Sequence, residues 1–75
     1  MIENLVQILK NDNISIAKKD IDNFNQNSNS KDAIYPLSVF IFENPKITHN
    51  NRLKAHLELI KISKLKRSDF SIAHN

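Results

Sequence analysis

Glycine and cysteine are both absent from this chain of 75 residues. Without glycine, the phosphate-binding loops and dinucleotide fingerprints that require it are excluded. Any backbone position with positive φ must then be filled by Asn or Asp, so the asparagine-rich stretches mark the predicted turns. Without cysteine, neither a disulfide framework nor a thiolate zinc site is available. Stability must come from helix packing, from self-association or from a partner.

Long apolar runs are also missing. The longest, at 33–42, contains Pro36 and Ser38, and it falls well short of the roughly 20 apolar residues that span a bilayer. The sequence from Met1 to Asn4 shows no basic and apolar leader, so no signal peptide is expected. Hydrophobic residues make up 40% and charged residues 25% of the chain, as in ordinary globular proteins. We expect one soluble, cytoplasmic domain over residues 1–75.

Apolar residues recur at helical spacing in two N-terminal segments, 2–10 and 14–24. This spacing places the apolar side chains of each segment on one face and predicts two amphipathic helices. Asn13 or Ser15 is suited to cap the second helix. The apolar positions are Ile2, Leu5, Val6 and Leu9 in the first segment and Ile14, Ala17, Ile21 and Phe24 in the second.

A polar loop is predicted at 23–31, and the segment that follows it is ambiguous. Asp32 could cap a helix over 33–43, with Pro36 near its first turn, where proline costs less than in mid-helix. The stretch 37–42 is rich in β-branched and aromatic residues, which favours a strand. The fold class predicted here is all-α, a compact bundle of three or four short helices. The alternative is a small α+β fold with a short strand near 37–42.

A last helix is predicted from a cap at Thr48 or Asn50 to about Lys66, followed by an irregular tail at 68–75. This helix has two apolar stripes on nearly opposite sides, separated by charged residues. Such a helix either sits centrally or covers the core on one side and a partner on the other. The first stripe comprises Leu53, Leu57 and Ile60, and the second comprises Ala55, Leu59 and Ile62.

Charge is distributed unevenly along the chain. Residues 1–45 carry four basic and six acidic residues, a balance of −2, whereas residues 46–67 carry seven basic residues against Glu58 alone, a balance of +6. A basic segment of this kind attracts phosphate backbones or an acidic protein. The alternative functional hypothesis is therefore a nucleic-acid-binding accessory protein. Its contact residues would be Arg52, Lys54, Lys61, Lys64, Lys66 and Arg67.

Two observations weigh against nucleic-acid binding. At helical spacing the basic residues form no single stripe, and no aromatic residue lies among them to stack on bases. The simpler interpretation is a solvated helix end whose lysines complement the helix dipole. A helix-turn-helix over the first two helices is disfavoured because Asp20 and Asp22 would face phosphates.

Catalytic and metal-binding patterns are not apparent. His49 and His56 are two helical turns apart, too far to share one metal ion, and His74 stands alone near the C-terminus. A chain this short has little room for a walled pocket of about 300 Å³. We expect no enzymatic activity, no cofactor, no metal and no small-molecule substrate.

The favoured hypothesis is a non-enzymatic protein-interaction module: an inhibitor, an adaptor, an antitoxin- or immunity-like protein, or a small subunit. Its basis is a surplus of apolar faces over what so small a core can bury. We expect a protein partner or a homodimer, with aromatic residues concentrated at the contact. The predicted partner-binding residues are Tyr35, Phe40, Phe42, Leu59 and Ile62.

Overall fold

The computed structural model describes residues 2–63, which form four helices and contain no strand. In chain order they are α1 (Glu3–Lys10), α2 (Lys18–Gln26), α3 (Lys31–Glu43) and α4 (His49–Ile62). The predicted all-α bundle is confirmed. The alternative strand near 37–42 is wrong, because those residues lie inside α3. The predicted tail at 68–75 lies outside the described residues.

The end of α1 shows how the chain turns without glycine. Asn13 has a φ of 60° and is the positive-φ residue of the described segment. Its backbone N–H donates to Lys10 O at 2.9 Å, and the Ile14 N–H donates to Leu9 O at 3.0 Å. This pair of bonds is the Schellman motif, in which a left-handed residue satisfies the last helical carbonyls. The prediction that asparagine would take such positions is confirmed.

After this turn residues 14–17 belong to no helix, whereas the sequence had predicted the first turn of a helix there. Ile14 and Ile16 are buried while Ser15 and Ala17 are exposed, the two-residue alternation of extended backbone. α2 therefore starts only at Lys18. Its N-cap position is Ala17, with no side-chain cap, so the predicted capping by Asn13 or Ser15 is wrong.

The polar loop before α3 is shorter than predicted, because α2 runs to Gln26 and α3 begins at Lys31. Ser30, rather than Asp32, caps α3: its hydroxyl accepts the Asp32 backbone N–H at 3.2 Å. Pro36 is the sixth residue of the helix, beyond the first turn. Its ring leaves the Asp32 carbonyl without its i+4 donor. Both residues are exposed, so water can reach that carbonyl.

The helices pack as three neighbouring pairs, α1 with α4, α4 with α3, and α3 with α2. α4 is thus central, and it contributes Ala55, Leu59 and Ile62 to the core. No helix within residues 2–63 has the length and apolar character needed to cross a membrane. The other buried apolar residues are Ile2, Leu5, Leu9, Ile14, Ile16, Phe24, Ala33, Ile34, Leu37, Ile41 and Ile47.

Candidate partner-binding surface

Five large apolar side chains remain exposed among residues 2–63, and all five lie on α3 or α4. Phe42 and Leu53 are more than half exposed, at 62% and 55%. Each of the five stands in the middle or last turns of a regular helix, so its position on the surface is fixed by the backbone. The five are Tyr35, Val39, Phe42, Leu53 and Leu57.

The exposed residues of α3 form one line along the helix, which we call the α3 stripe (Tyr35, Val39 and Phe42). They follow the spacing i, i+4, i+7, which confines them to an arc of about 60° at 3.6 residues per turn. The buried residues of α3, such as Leu37 and Ile41, lie on the other side of the helix. α3 thus has one apolar face in the core and a second facing out.

The outer face of α4 carries a matching line, the α4 stripe (Leu53, Leu57 and Ile60). Leu53 and Leu57 are exposed, and Ile60 is partly buried against the core. The predicted two-faced helix is therefore present in the structure.

The assignment of the two faces of α4 needs correction. Leu59 and Ile62, predicted to bind a partner, are 0% and 8% exposed and belong to the core. Helical periodicity shows that two apolar faces exist, but it does not show which one meets the neighbouring helices. The small side chain of Ala55, fully buried on the inner face, leaves room for close packing there. Leu53 and Leu57 are the α4 residues available to a partner.

The predicted contact residues on α3 are divided in a similar way. Tyr35 and Phe42 lie together on the α3 stripe. Phe40 is partly buried and packs against the core cluster. The predicted set of five residues is therefore not brought together as one surface; two of its members are.

Charged residues border both stripes. Lys54 and Lys61 are exposed on α4, and their helical phase places them beside the α4 stripe. Asp32 and Glu43 are exposed on α3 and lie beside the α3 stripe by the same spacing. One margin of each stripe is thus charged, basic on α4 and acidic on α3. The partly exposed Glu58 lies beyond the two lysines of α4, and the other margin of the α3 stripe carries Lys31 at its N-terminal end.

Arg52 is partly buried, and its guanidinium connects α4 to the end of α3 and to the loop between them. Its Nη1 donates to Ile41 O at 2.5 Å and to Phe42 O at 3.0 Å, and its Nη2 donates to Asn44 O at 2.8 Å and to Ile47 O at 2.9 Å. The guanidinium therefore satisfies the carbonyls of Ile41 and Phe42 at the end of α3 and binds two further carbonyls in the loop that follows. Arg52, predicted as a nucleic-acid contact, thus has its guanidinium engaged in hydrogen bonds within the fold.

The remaining residues of that predicted contact are only partly described. Lys54 and Lys61 are exposed on α4, whereas Lys64, Lys66 and Arg67 lie outside the described residues. Within the described chain, Arg52 points inward, so the exposed basic residues of α4 are those beside the apolar stripe.

A second polar cluster connects the first turn of the chain to the start of α4. The Asp12 carboxylate accepts the Thr48 backbone N–H at 2.9 Å, the Thr48 hydroxyl at 3.1 Å and the Asn51 side-chain amide at 3.1 Å. Thr48 is the N-cap position of α4, but its own side chain makes no cap bond. Asp12 instead supplies the acceptor, and a carboxylate at a helix N-terminus also suits the helix dipole.

These hydrogen bonds favour the ionised form of Asp12. The Thr48 backbone N–H, followed by the Asn51 amide, lowers the pKa of the carboxyl below its ordinary value of 3.8. The arrangement was not predictable from sequence spacing, since Asp12 and Thr48 are 36 residues apart. The carboxylate joins the turn after α1 to the start of α4.

Within residues 2–63, no group of three or more His, Asp and Glu side chains is arranged to hold a metal ion. The Lys18 ammonium and the Asp22 carboxylate form an ion pair at 2.8 Å on exposed α2. The hydrogen bond and the charge of Asp22 raise the pKa of Lys18.

Fold and surface together define a class of protein: a small four-helix domain that presents two charged-edged apolar stripes on adjacent helices. Comparison of the chain with models of protein families, with characterised proteins and with solved structures finds no match in any of the three.

Proposed function

We propose that this protein is a small protein-binding module whose contact surface is formed by the outer faces of α3 and α4. The observation that carries the proposal is the exposure of five large apolar side chains in the two stripes. Aromatic and aliphatic side chains held on rigid helices are suited to act as interface anchors. The charged margins are suited to orient a partner during encounter. The proposal covers the role of an inhibitor, an adaptor, an antitoxin- or immunity-like protein, or a small subunit.

The proposal involves no chemical step and no cofactor, and it places the protein in the cytoplasm. Its support is the nature of the exposed surface, which is apolar with charged margins. The polar clusters around Asp12 and Arg52 are engaged in hydrogen bonds that connect elements of the fold.

Nucleic-acid binding through α4 is the weaker hypothesis. Among residues 2–63 the one arginine, Arg52, already binds four backbone carbonyls, which weighs against its use as a phosphate contact. Lys54 and Lys61 stand beside Leu53 and Leu57, and a phosphate backbone would leave those apolar side chains uncovered. Lysine next to exposed leucine fits an acidic protein surface better.

Capture experiments with the immobilised full chain test the proposal. We expect the wild-type protein to retain a defined partner from a lysate of the source organism, or to retain a second copy of itself. Phe42→Gln and Leu53→Gln should each reduce this retention at least about tenfold, the loss expected when a large apolar anchor is removed. Lys19→Gln, on exposed α2, is the control and should retain the partner.

The outcome that contradicts the proposal is retention that is the same for wild type and both stripe variants. A salt titration with arbitrary duplex and single-stranded DNA examines the alternative. Affinity that falls steeply between about 50 and 200 mM salt would favour nucleic-acid binding instead.

A further inference from the structure

The α3 and α4 stripes have the same spacing, and each carries charge of the opposite sign along one margin. Each stripe presents three apolar positions spaced i, i+4, i+7, so each is a straight ridge about 10 Å long at 1.5 Å per residue. The exposed acids Asp32 and Glu43 border one, and the exposed lysines Lys54 and Lys61 border the other. Within one chain, large side chains of both stripes remain exposed.

We propose that the α3 stripe of one molecule docks on the α4 stripe of a second copy of this chain. The inference rests on the proposed function and names the partner. An acidic margin facing a basic margin is attractive, whereas two α4 stripes or two α3 stripes facing each other would bring like charges together. The interface is therefore between two different surfaces of the same protein.

Helical phase also fixes the orientation of the two helices. We view each helix from its N-terminus and turn by 100° per residue. In this view Asp32 and Glu43 on α3, and Lys54 and Lys61 on α4, lie on the same rotational side of their stripes. Each is about 50–95° from the centre of its stripe. Margins on the same rotational side face each other only when the two helices run antiparallel. Asp32 then lies opposite Lys61, and Glu43 lies opposite Lys54. Antiparallel packing also brings opposite ends of the helix dipoles together.

Because the two surfaces differ, each molecule can bind one neighbour through its α3 stripe and another through its α4 stripe. Head-to-tail contacts of this kind close into a ring or continue as an open chain, and they do not stop at a two-fold dimer. The assembly therefore grows with protein concentration. Raised salt weakens it through the charged margins.

Sedimentation velocity on the full chain tests this inference with a pair of complementary variants. Phe42→Gln removes an anchor of the α3 stripe, and Leu53→Gln removes an anchor of the α4 stripe. Both positions are more than half exposed. Far-UV circular dichroism and urea unfolding are used to check that each variant is folded. Lys19→Gln on α2 is the control and should associate like wild type.

We expect the average mass of the wild type to rise with concentration, from micromolar to millimolar, past that of a dimer. Each stripe variant alone should associate at least about tenfold more weakly. An equal mixture of the two variants should form a discrete dimer that does not grow, because it retains one intact α3 stripe and one intact α4 stripe.

Two results overturn the inference. One is a wild-type chain that stays monomeric at every concentration. If wild type then captures another protein from the lysate and Leu53→Gln does not, the proposed function stands with that protein as the partner. The other is a mixture of variants that forms no dimer although wild type self-associates, because association then uses like surfaces or a different face.

Discussion

At the C-terminal end of α3, the guanidinium of Arg52 contacts the carbonyl oxygens of four residues between 41 and 47. Helices often end with a glycine that bends the chain back on its own carbonyls. This chain has no glycine, and the planar donor fork of an arginine from the next helix satisfies the carbonyls instead. One side chain thereby fixes both the end of α3 and the path of the loop into α4.

We therefore expect Arg52→Lys to lower the free energy of unfolding by about 1–3 kcal/mol, although the charge is kept. A lysine ammonium cannot reproduce the fork, and hydrogen bonds made by charged groups contribute roughly 1.5–3 kcal/mol each. Urea unfolding followed by circular dichroism measures the change. Lys54→Gln, a substitution at an exposed cation two residues away, should change stability by no more than about 0.5 kcal/mol. Equal effects of the two substitutions would contradict the role of Arg52.

Asp12 gives the fold a dependence on pH. Its pKa is lower in the folded chain than the ordinary value of 3.8, chiefly because the Thr48 backbone N–H donates to the carboxylate. The ionised carboxylate thus stabilises the fold above that value, and this contribution is lost as the pH falls through the lowered pKa. We expect Asp12→Ala and Asp12→Asn to be less stable than wild type at neutral pH.

The measurement is urea unfolding of wild type and both Asp12 variants from about pH 7 to pH 2. The stability difference between wild type and each variant should stay constant down to about one pH unit above 3.8 and shrink below it. A difference that stays constant into the acid range would show that the carboxylate charge does not hold α4.

These two polar clusters mark the limit of what the sequence could predict at the residue scale. Asn13 was predictable as a turn residue, because few other residues tolerate positive φ when glycine is absent. Arg52 and Asp12 were not, because their partners are backbone groups 5–11 and 36 residues away. Such contacts depend on tertiary packing and leave no periodic pattern.

Among the elements, α4 allows a matched comparison of its two faces. Leu59 is fully buried and Leu57 is 46% exposed, and both are leucines in the same helix. We expect Leu59→Ala to lower the free energy of unfolding by about 2–5 kcal/mol through the cavity it creates. Leu57→Ala should change it by no more than about 0.5 kcal/mol. A reversed order in urea unfolding would mean that the faces are assigned wrongly.

Proline plays opposite roles at its two positions. Pro36 lies inside α3, where proline costs up to about 3 kcal/mol relative to alanine. Pro45 is the second residue of the turn closed by the Ile47 N–H on Asn44 O at 3.3 Å, a position that suits its fixed φ. We expect Pro36→Ala to raise the free energy of unfolding by about 1–3 kcal/mol and Pro45→Ala to lower it by about 0.4–1 kcal/mol. Thermal or urea unfolding shows both changes, and a loss of stability in Pro36→Ala would contradict the assigned cost.

At the scale of elements, periodicity predicted more than it did at single residues. The helical spacing of Leu5 and Leu9 predicted α1, and the double stripe of α4 was visible as well. The start of α2 was wrong, because Ile14 and Ala17 fit a helical face while Ile14 and Ile16 fit an extended segment equally well. For the same reason the prediction placed the partner-binding face of α4 on the side that is buried in the structure. A repeating pattern gives the spacing of apolar residues, and the neighbouring elements decide which set is covered.

The core of so short a chain leaves the whole molecule a small free energy of unfolding. Stabilisation by association should therefore change the midpoint temperature of thermal unfolding measurably. If copies of the chain dock through the α3 and α4 stripes, the midpoint temperature rises with protein concentration, since binding stabilises only the folded state. Scans of wild type over a hundredfold range of concentration measure this. Phe42→Gln should show a midpoint that barely changes with concentration. A midpoint independent of concentration in wild type would contradict self-association.

The contact between Asp12 and Thr48 also makes one backbone proton a reporter for the entire fold. The Thr48 backbone N–H donates to the carboxylate of Asp12, 36 residues earlier in the sequence. The NMR chemical shift of this amide should therefore follow the titration of Asp12. Its exchange with deuterated solvent should record each separation of the first turn from the last helix. A single amide resonance therefore reports both the protonation of Asp12 and the separation of this turn from α4, without an attached dye.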